Sequence, residues 1–416
     1  MKLRWHWQTI LQAPHRLAFF LGIVLLVFQS AWWSVVQWHR LGASWGISYA
    51  VSPTVIHSTA MTLGFMPLLF AGFLFTAGPK WLGVRPPMIH RFFTPLGLQC
   101  AGWLLWTLGG HVHLLVAVAG GMLTWAGLLW VQLMFLHLVL QSPAPDRLHA
   151  QLIAAAGFIG VMALGAVVLC LLLGSTGLAR PLVLMALWGF VVTTFVTVAH
   201  RMLPFFTASA LPIQVVWRPV WLLYLLLAVA GVESLIPWLE FLGMGSGGNG
   251  DLWMLVRGLF ELSVGVALVW LSLSWGLLKS LQIRLLAMLH VGFSWLGLSL
   301  LLSGISQCIG SHTGTPYLGL GPLHALTMGF LGSVAFAMVT RVSRGHSGRP
   351  LAVDNLTWYA FWLLQGVVML RIVAHLPGVS SQVLALTATL WTLAMLAWTV
   401  PMLGWYGRAR ADGQPG

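Results

Sequence analysis

The chain has 416 residues, of which 59% are hydrophobic and only 6% are charged. Soluble domains carry roughly a quarter charged residues, so this composition excludes a soluble protein and predicts an integral membrane protein. The net charge of +13 does not indicate a nucleic-acid partner, because the basic residues are scattered through short loops. The three cysteines are far apart and form no C-x-x-C pair, so they indicate neither a disulfide framework nor a zinc motif.

The apolar runs predict the fold class, because a membrane-spanning helix needs about 20 mostly apolar residues. They indicate an all-α, polytopic transmembrane helix bundle of about 12 helices, forming a single integral membrane domain over 1–416. The third run has the weakest apolar signal, since Gly109 and Gly110 end it early. The predicted helices lie at 17–38, 54–77, 93–109, 112–140, 149–173, 181–202, 219–240, 253–278, 284–305, 317–340, 355–375 and 380–406.

A short internal similarity raises an alternative domain organisation. The sequences TLGF at 62–65 and TMGF at 327–330 each follow a histidine within one or two helical turns. Two six-helix halves, near 1–205 and 206–416, would account for this repetition.

Basic residues are distributed unevenly between the two sides of the predicted bundle. With a cytoplasmic N-terminus, sixteen Lys and Arg residues fall on the inner side and only Arg40 and Arg180 on the outer side. Arg257 and Arg371 lie within predicted helices. Because cytoplasmic loops carry an excess of Lys and Arg, this count predicts that both termini are cytoplasmic.

Histidine is unusually frequent, with 15 histidines against seven acidic residues. Three of them, His57, His290 and His324, lie inside apolar segments, where an imidazole without a partner is costly. Histidine is also the usual haem ligand in membranes. At about 1.5 Å per residue, His57 and His324 lie ~30 and ~25 Å from the inner boundary, and His290 lies ~9 Å from it. His57 and His324 are therefore the pair expected to share a site, whereas His375, near an outer helix end, is interpreted as structural.

Several residues are candidate copper ligands. His57 and Met61 are four residues apart and share a helix face. An imidazole with a thioether suits Cu(I), or haem iron with a methionine ligand, although a methionine that only fills a packing seam is the alternative. His111, His113 and His312 lie in predicted outer loops on the same side as His57, so they are the second candidate copper site.

Charged residues near the inner and outer helix ends suggest further roles. Arg201 and Arg341 could pair with haem propionates if the haem lay near His290, or they could contact anionic lipid head groups. Arg257 and Glu261 are four residues apart in the eighth predicted helix and can pair on one face. Glu233 stands alone in the seventh, and an intramembrane acid indicates either a proton path or a hydrogen bond to a neighbouring helix.

Four stretches carry a family resemblance. The segment 322–351, with the pattern H-A-L-T-x-G followed by a predicted polar loop T-R-V-S-x-G-H-S-G-R-P over 340–350, resembles the signature of the NnrS family. The stretches 56–81, 200–207 and 289–296 are similar to further NnrS segments. They place the resemblance on the second, sixth, ninth and tenth predicted helices.

The resemblance implies a multi-pass protein of the bacterial inner membrane that binds haem b and copper. It further implies a role in nitric oxide metabolism, nitrosative-stress protection and denitrification, with the bilayer, haem and nitric oxide as partners. The sequence departs from the family at Thr59 and Ala60, which stand where the family has a second His and a Glu, so we expect reduced copper occupancy. A multi-helix transporter without haem is the alternative function, since scattered Gly and Pro residues allow broken helices.

Overall fold

The computed structural model describes residues 4–43, 45–211, 217–245 and 250–414. The chain is about 80% helical, and the described residues include no strand, which confirms the predicted all-α bundle. Each of the twelve predicted segments corresponds to a long helix. These helices are α1 (Pro14–Arg40), α2 (Pro53–Leu82), α3 (Phe93–Val112), α4 (Leu114–Leu140), α5 (Leu148–Leu172), α6 (Thr176–Ala210), α7 (Val220–Phe241), α8 (Gly250–Ser274), α9 (Arg284–Thr313), α10 (Gly321–His346), α11 (Asn355–Val373) and α12 (Gln382–Tyr406).

Among the described residues, eleven of these helices are long and apolar enough to cross a membrane, and α3 is not one of the eleven. The chain ends show that α3 nevertheless traverses the bundle. Near the start of α1, Arg16 Nη1 donates to the carbonyl oxygens of Tyr406 and Arg408, at 3.1 and 2.7 Å. The start of α1 and the end of α12 therefore lie on the same side of the bundle. The chain must then cross the bundle an even number of times, which requires α3 to be counted as a crossing.

The four helices that carry the family-like stretches form the centre of the bundle. In the most apolar window of α2, α6, α9 and α10, the share of buried residues is 72, 78, 78 and 67%, whereas no other candidate span exceeds 56%. The outer helices leave more apolar side chains exposed, as lipid-facing helices do. The motifs therefore lie mainly where helices contact one another, with Phe205 as an exposed exception.

Helix α10 is longer than the sequence predicted. The expected polar loop beginning at Thr340 is wrong, because the helix continues to His346. Its polar side chains find partners inside the bundle: Thr340 Oγ1 accepts a hydrogen bond from Trp398 Nε1 at 2.9 Å, and the Ser343 hydroxyl lies 2.6 Å from that of Tyr406. With those groups satisfied, the polar sequence does not need to leave the helix.

Helices α8 and α9 pack backbone against backbone along a seam of glycines. Gly258 lies opposite Gly304, and Gly265 lies opposite Gly297. A Cβ atom added at Gly265 would lie 2.7 Å from the Leu301 amide nitrogen. Small residues at such crossings let two membrane helices approach closely.

Candidate functional site

A cavity of about 570 Å³ lies between α1, α2, α6, α10, α11 and α12. We call it the histidine cavity. It lies at the ends of these helices opposite the chain termini, which is the outer side in the predicted orientation. Its volume falls in the range of cofactor and ligand sites. Its most polar lining residues are three histidines, His57, His324 and His375, and three arginines, Arg40, Arg180 and Arg371.

The helices around the histidine cavity are locally irregular. Helix α2 changes direction at Gly64, while α6 and α10 contain π-helical turns at Leu187–Val192 and Ala325–Gly332. Side chains from both π-helical turns line the cavity. Such turns in helices occur frequently at functional sites, because the extra residue redirects the side chains that precede it. The sequence TLGF at 62–65 contains Gly64, where α2 changes direction, and the sequence TMGF at 327–330 lies in the π-helical turn of α10.

His324 is held in one tautomer. Its Nδ1 atom donates to the Leu320 carbonyl at 2.8 Å, so the Nε2 atom carries the lone pair. That lone pair accepts a hydrogen bond from Arg371 Nη2 at 3.2 Å. An imidazole whose Nδ1–H is tied to a backbone carbonyl is oriented as in many metal-ligating histidines. His324 is thus positioned to present Nε2 to a metal once Arg371 releases it.

His375, interpreted as structural from sequence, lies in the same cavity. Its Nδ1 atom donates to the Arg371 carbonyl at 3.0 Å, which leaves the lone pair on Nε2. Its ring stacks on that of His324 with centroids 5.5 Å apart. His375 is therefore a second imidazole with the same tautomer as His324, and it belongs among the candidate ligands.

His57 faces the cavity from α2. Its ring stacks on Trp33 with centroids 3.8 Å apart and an interplanar angle of 9°. The Arg40 guanidinium lies over the same tryptophan, 5.0 Å from the ring centroid. The Nδ1 atom of His57 is buried and has no hydrogen-bond partner. A buried polar atom without a partner is costly, so this arrangement favours a ligand beside His57.

The charge in the cavity is one-sided. No Asp or Glu is present among its described lining residues, although three guanidinium groups are. Arg371 is only 7% exposed, forms no ion pair within the described part of the chain, and has a buried Nη1 atom without a partner. A buried charge is tolerated when an opposite charge or hydrogen bonds compensate it, so the site fits an anionic ligand such as a carboxylate-bearing cofactor.

Four methionines add soft donors to the cavity wall. Met61, predicted as a partner of His57, lines the cavity together with Met66, Met328 and Met395. Thioether sulfur binds Cu(I) well, but methionine also fills irregular gaps. Thr59 and Ala60 are fully buried and do not line the cavity. The altered motif positions therefore lie on a different face of α2 from His57.

His290 does not line the histidine cavity. It is fully buried, and its Nε2 atom lies 2.8 Å from Thr207 Oγ1. Because the Thr207 hydroxyl donates to the Leu203 carbonyl, His290 Nε2 must be the donor in this bond. The structure thus separates His290 from His57 and His324, in agreement with the depth estimated from sequence.

The two arginines proposed from sequence lie elsewhere. Arg201 lies over the ring of Trp81 at 5.1 Å, and Arg341 lies over that of Phe206 at 4.0 Å. Neither lines the histidine cavity. A cofactor in this cavity would pair with Arg40 and Arg371 instead.

The outer histidines do not converge on one site. Both ring nitrogens of His111 are engaged, with Trp32 Nε1 at 2.7 Å and the Ser48 carbonyl at 2.8 Å. His113 caps α4 by accepting from the Leu115 amide, and His312 is exposed in the last turns of α9 and not in a loop. Within the described ranges, no group of three or more His, Cys, Asp or Glu residues could hold a metal ion.

Sequence reasoning missed the three cavity arginines and His375, yet one signal pointed to the arginines. Arg40 and Arg180 are the two exceptions to the positive-inside pattern, and Arg371 is one of two arginines within a helix. Charges that oppose the topology rule or lie at membrane depth are retained where they have a specific partner.

Comparison with known proteins shows a family match over a range that includes the residues of the histidine cavity. The model of a family described as NnrS protein matches residues 9–410, nearly the whole chain. No curated protein matches the sequence.

Proposed function

The chain belongs to the NnrS family, and from that premise we propose that the histidine cavity binds haem b in a protein of the bacterial inner membrane that acts in the nitric oxide response. The observation that carries the proposal is Arg371, a buried guanidinium in contact with His324. Among the described residues it has no acidic partner, and those that line its cavity include histidines but no carboxylate. Haem propionates would supply the missing negative charge.

Within this proposal, the side chains divide into ligands and anion-binding groups. His57 and His324 are the ligand candidates predicted from sequence, and His375 joins them because its Nε2 lone pair is available. Arg40 and Arg371 bind and orient the propionates, since Arg180 lies 3.9 Å from Glu240. The apolar remainder of the wall, including Trp391 and Trp398, limits the access of water. Bound haem would supply an iron centre that can bind nitric oxide.

The experiment is a measurement of haem in the purified protein. After haem-replete expression, we expect a Soret band and one or more haems b per chain by pyridine haemochrome assay. His57→Ala and His324→Ala should lose most of this haem, whereas His6→Ala, at an exposed position outside the cavity, should keep it.

Two outcomes would contradict the proposal. Full haem content in the His57, His290, His324 and His375 alanine variants would show that none of the four is needed. Absence of a Soret band would favour the transporter alternative, in which the broken helices surround a transported solute.

Copper forms the second part of the proposal. We infer that this chain holds less than one equivalent of copper, because Thr59 and Ala60 stand in place of the family His and Glu. Elemental analysis should show a copper content well below the haem content. One full equivalent of copper would contradict this inference and direct attention to His57 and Met61 in the histidine cavity.

A further inference from the structure

A second cavity, of about 440 Å³, lies between α6, α7, α8, α9 and the start of α10. We call it the acidic cavity. Its wall includes loop residues Gly245 and Pro316, so it extends to the helix ends on the same side as the mouth of the histidine cavity. Glu233 and Glu240 from α7 and Arg257 from α8 line it. Neither the family match nor the haem proposal assigns a role to these residues.

An ion-pair network runs from the surface into the protein beside this cavity. Arg180 lies 3.9 Å from Glu240, which binds Arg257, and Arg257 Nε lies 2.8 Å from Glu261. The side-chain exposure along this order falls from 67% for Arg180 to 26% for Glu240, 17% for Arg257 and 0% for Glu261. The carboxylates of Glu240 and Glu261 thus pair with the guanidinium groups of Arg180 and Arg257.

Glu233 is the third carboxyl group in this region, and it is outside the ion-pair network. It is only 4% exposed, lines the acidic cavity, and forms no ion pair within the described part of the chain. Its Oε1 atom is buried and has no hydrogen-bond partner. The charged groups that face it are Glu240, Arg257 and Glu261. With Arg257 shared by the two other carboxylates, an ionised Glu233 would be an uncompensated charge at membrane depth, which is costly. A bound proton removes that charge.

The acidic cavity adjoins the histidine cavity. Arg180, Leu184, Leu320 and Leu323 line both cavities, so one layer of side chains separates them. A proton that leaves the acidic cavity through this layer enters the space lined by His324. Three of the four residues are leucines, so the layer is a barrier to ions. A proton crosses it only when water molecules enter between these side chains.

We propose that Glu233 is a proton-binding site, which is loaded from water in the acidic cavity and releases its proton into the histidine cavity. Loading transfers a proton from a hydronium ion in the acidic cavity to a Glu233 carboxylate oxygen, which forms the O–H bond and leaves a water molecule. Release breaks that O–H bond and transfers the proton to a water molecule beyond the leucine layer, which becomes hydronium. No electron moves in either step. The release step rests on the proposed haem function, while the loading step does not.

Infrared spectroscopy of the purified protein tests the loading step. At neutral pH we expect a C=O stretching band of a protonated carboxyl group that shifts in D₂O and disappears at alkaline pH. Glu233→Gln should remove this band, whereas the matched variant Glu240→Gln should keep it, since Glu240 is ion-paired. If Glu233→Gln does not fold, Glu233→Asp should shift the band in frequency.

Two infrared results would overturn the loading step. One is a carboxyl band that persists unchanged in Glu233→Gln. The other is loss of the band when sodium or potassium chloride is added at constant pH, which would identify a metal-cation site and not a proton site.

Proton uptake on reduction of the haem-loaded protein tests the release step. A pH-indicator dye in weak buffer should report uptake that is slower in Glu233→Gln by about a hundredfold, the order typical of a lost proton-transfer group. Unchanged uptake would overturn the release step even if the infrared band is confirmed. If the protein binds no haem, the haem proposal fails while the infrared result still decides the loading step.

Discussion

Arg371 combines two properties that are rarely found together in a membrane helix: it is buried, and no carboxylate in the described part of the chain compensates its charge. The same guanidinium contacts the Nε2 atom of His324, the position that a metal would use. Its surroundings are therefore unfavourable in the ligand-free protein and become favourable when an anion binds.

This property predicts opposite effects of one substitution on two forms of the protein. Arg371→Met should raise the free energy of unfolding of the haem-free protein, by about 1–4 kcal/mol, because a buried charge is replaced by an apolar side chain of similar length. It should lower the stability of the haem-loaded protein, because the propionate partner is lost. Thermal unfolding of both forms in detergent measures the two shifts. Arg371→Lys, which keeps the charge, is the control, and shifts of the same sign in both forms would contradict the assignment.

Asp354 provides a pH-dependent prediction outside the membrane-spanning segments. Burial alone would raise its pKa, but hydrogen bonds from Thr357 and the Arg344 guanidinium lower the pKa below the ordinary value of 3.8. Because the folded-state pKa is lowered, its stabilising contribution is complete above pH 3.8 and is lost as the pH falls through the folded-state value.

Asp354 also caps α11, with Oδ1 accepting from the Thr357 amide at 2.9 Å. Asp354→Ala should cost about 1 kcal/mol of unfolding free energy at pH 7, the usual cost of losing an N-cap. Asp354→Asn should keep the cap and lose the pH dependence. Unfolding curves of the three proteins between neutral and acidic pH check this, and an equal acid response in Asp354→Asn would show that other groups dominate.

At the scale of elements, the glycine seam between α8 and α9 sets how closely these two helices pack. The seam holds Glu261 and Ser303 in the region of the acidic cavity, so its geometry also positions the ion-pair network. By contrast, Gly366 in α11 has open space around the position of a Cβ atom.

These two glycines form a matched pair for substitution. Gly265→Ala should destabilise the protein by about 1–3 kcal/mol, because the added methyl group overlaps the α9 backbone. Gly366→Ala should be neutral or stabilising by up to about 1 kcal/mol, since alanine favours the helix. Thermal unfolding in detergent measures both. Equal effects at the two positions would show that the close packing at Gly265 relaxes without cost.

At the scale of the whole molecule, the contacts of Arg16 with the end of α12 place both chain ends on one side of the bundle. The count of basic residues predicts that this side faces the cytoplasm. The two observations are independent and together predict the topology.

The topology is checked with reporter fusions. A fusion after Pro316 should report the periplasm, and one after Arg349 should report the cytoplasm, because the excess of Lys and Arg lies on the Arg349 side. Full-length fusions to the C-terminus serve as the control and should also read cytoplasmic. A periplasmic reading after Arg349 would reverse the orientation, and with it the side from which both cavities open.

Composition and apolar run length determined the class of protein, the twelve helices and the four that carry the family motifs. These are local properties, because a span needs only enough apolar residues in a row. The depth estimate also paired His57 with His324 and set His290 apart, since helical rise is nearly constant along a segment. Sequence was less informative at helix ends, as the extension of α10 beyond Thr340 shows.

Only the tertiary structure decided which side chains meet. Core and lipid are both apolar, so a membrane helix shows little periodicity, and its sequence does not tell which face turns inward. The π-helical turns at Leu187–Val192 and Ala325–Gly332 further rotate the preceding residues, among them Arg180 and His324. For these reasons the candidate site includes Arg371 and His375, which no motif marks, whereas Arg201 and Arg341, predicted to pair with a haem near His290, lie outside it.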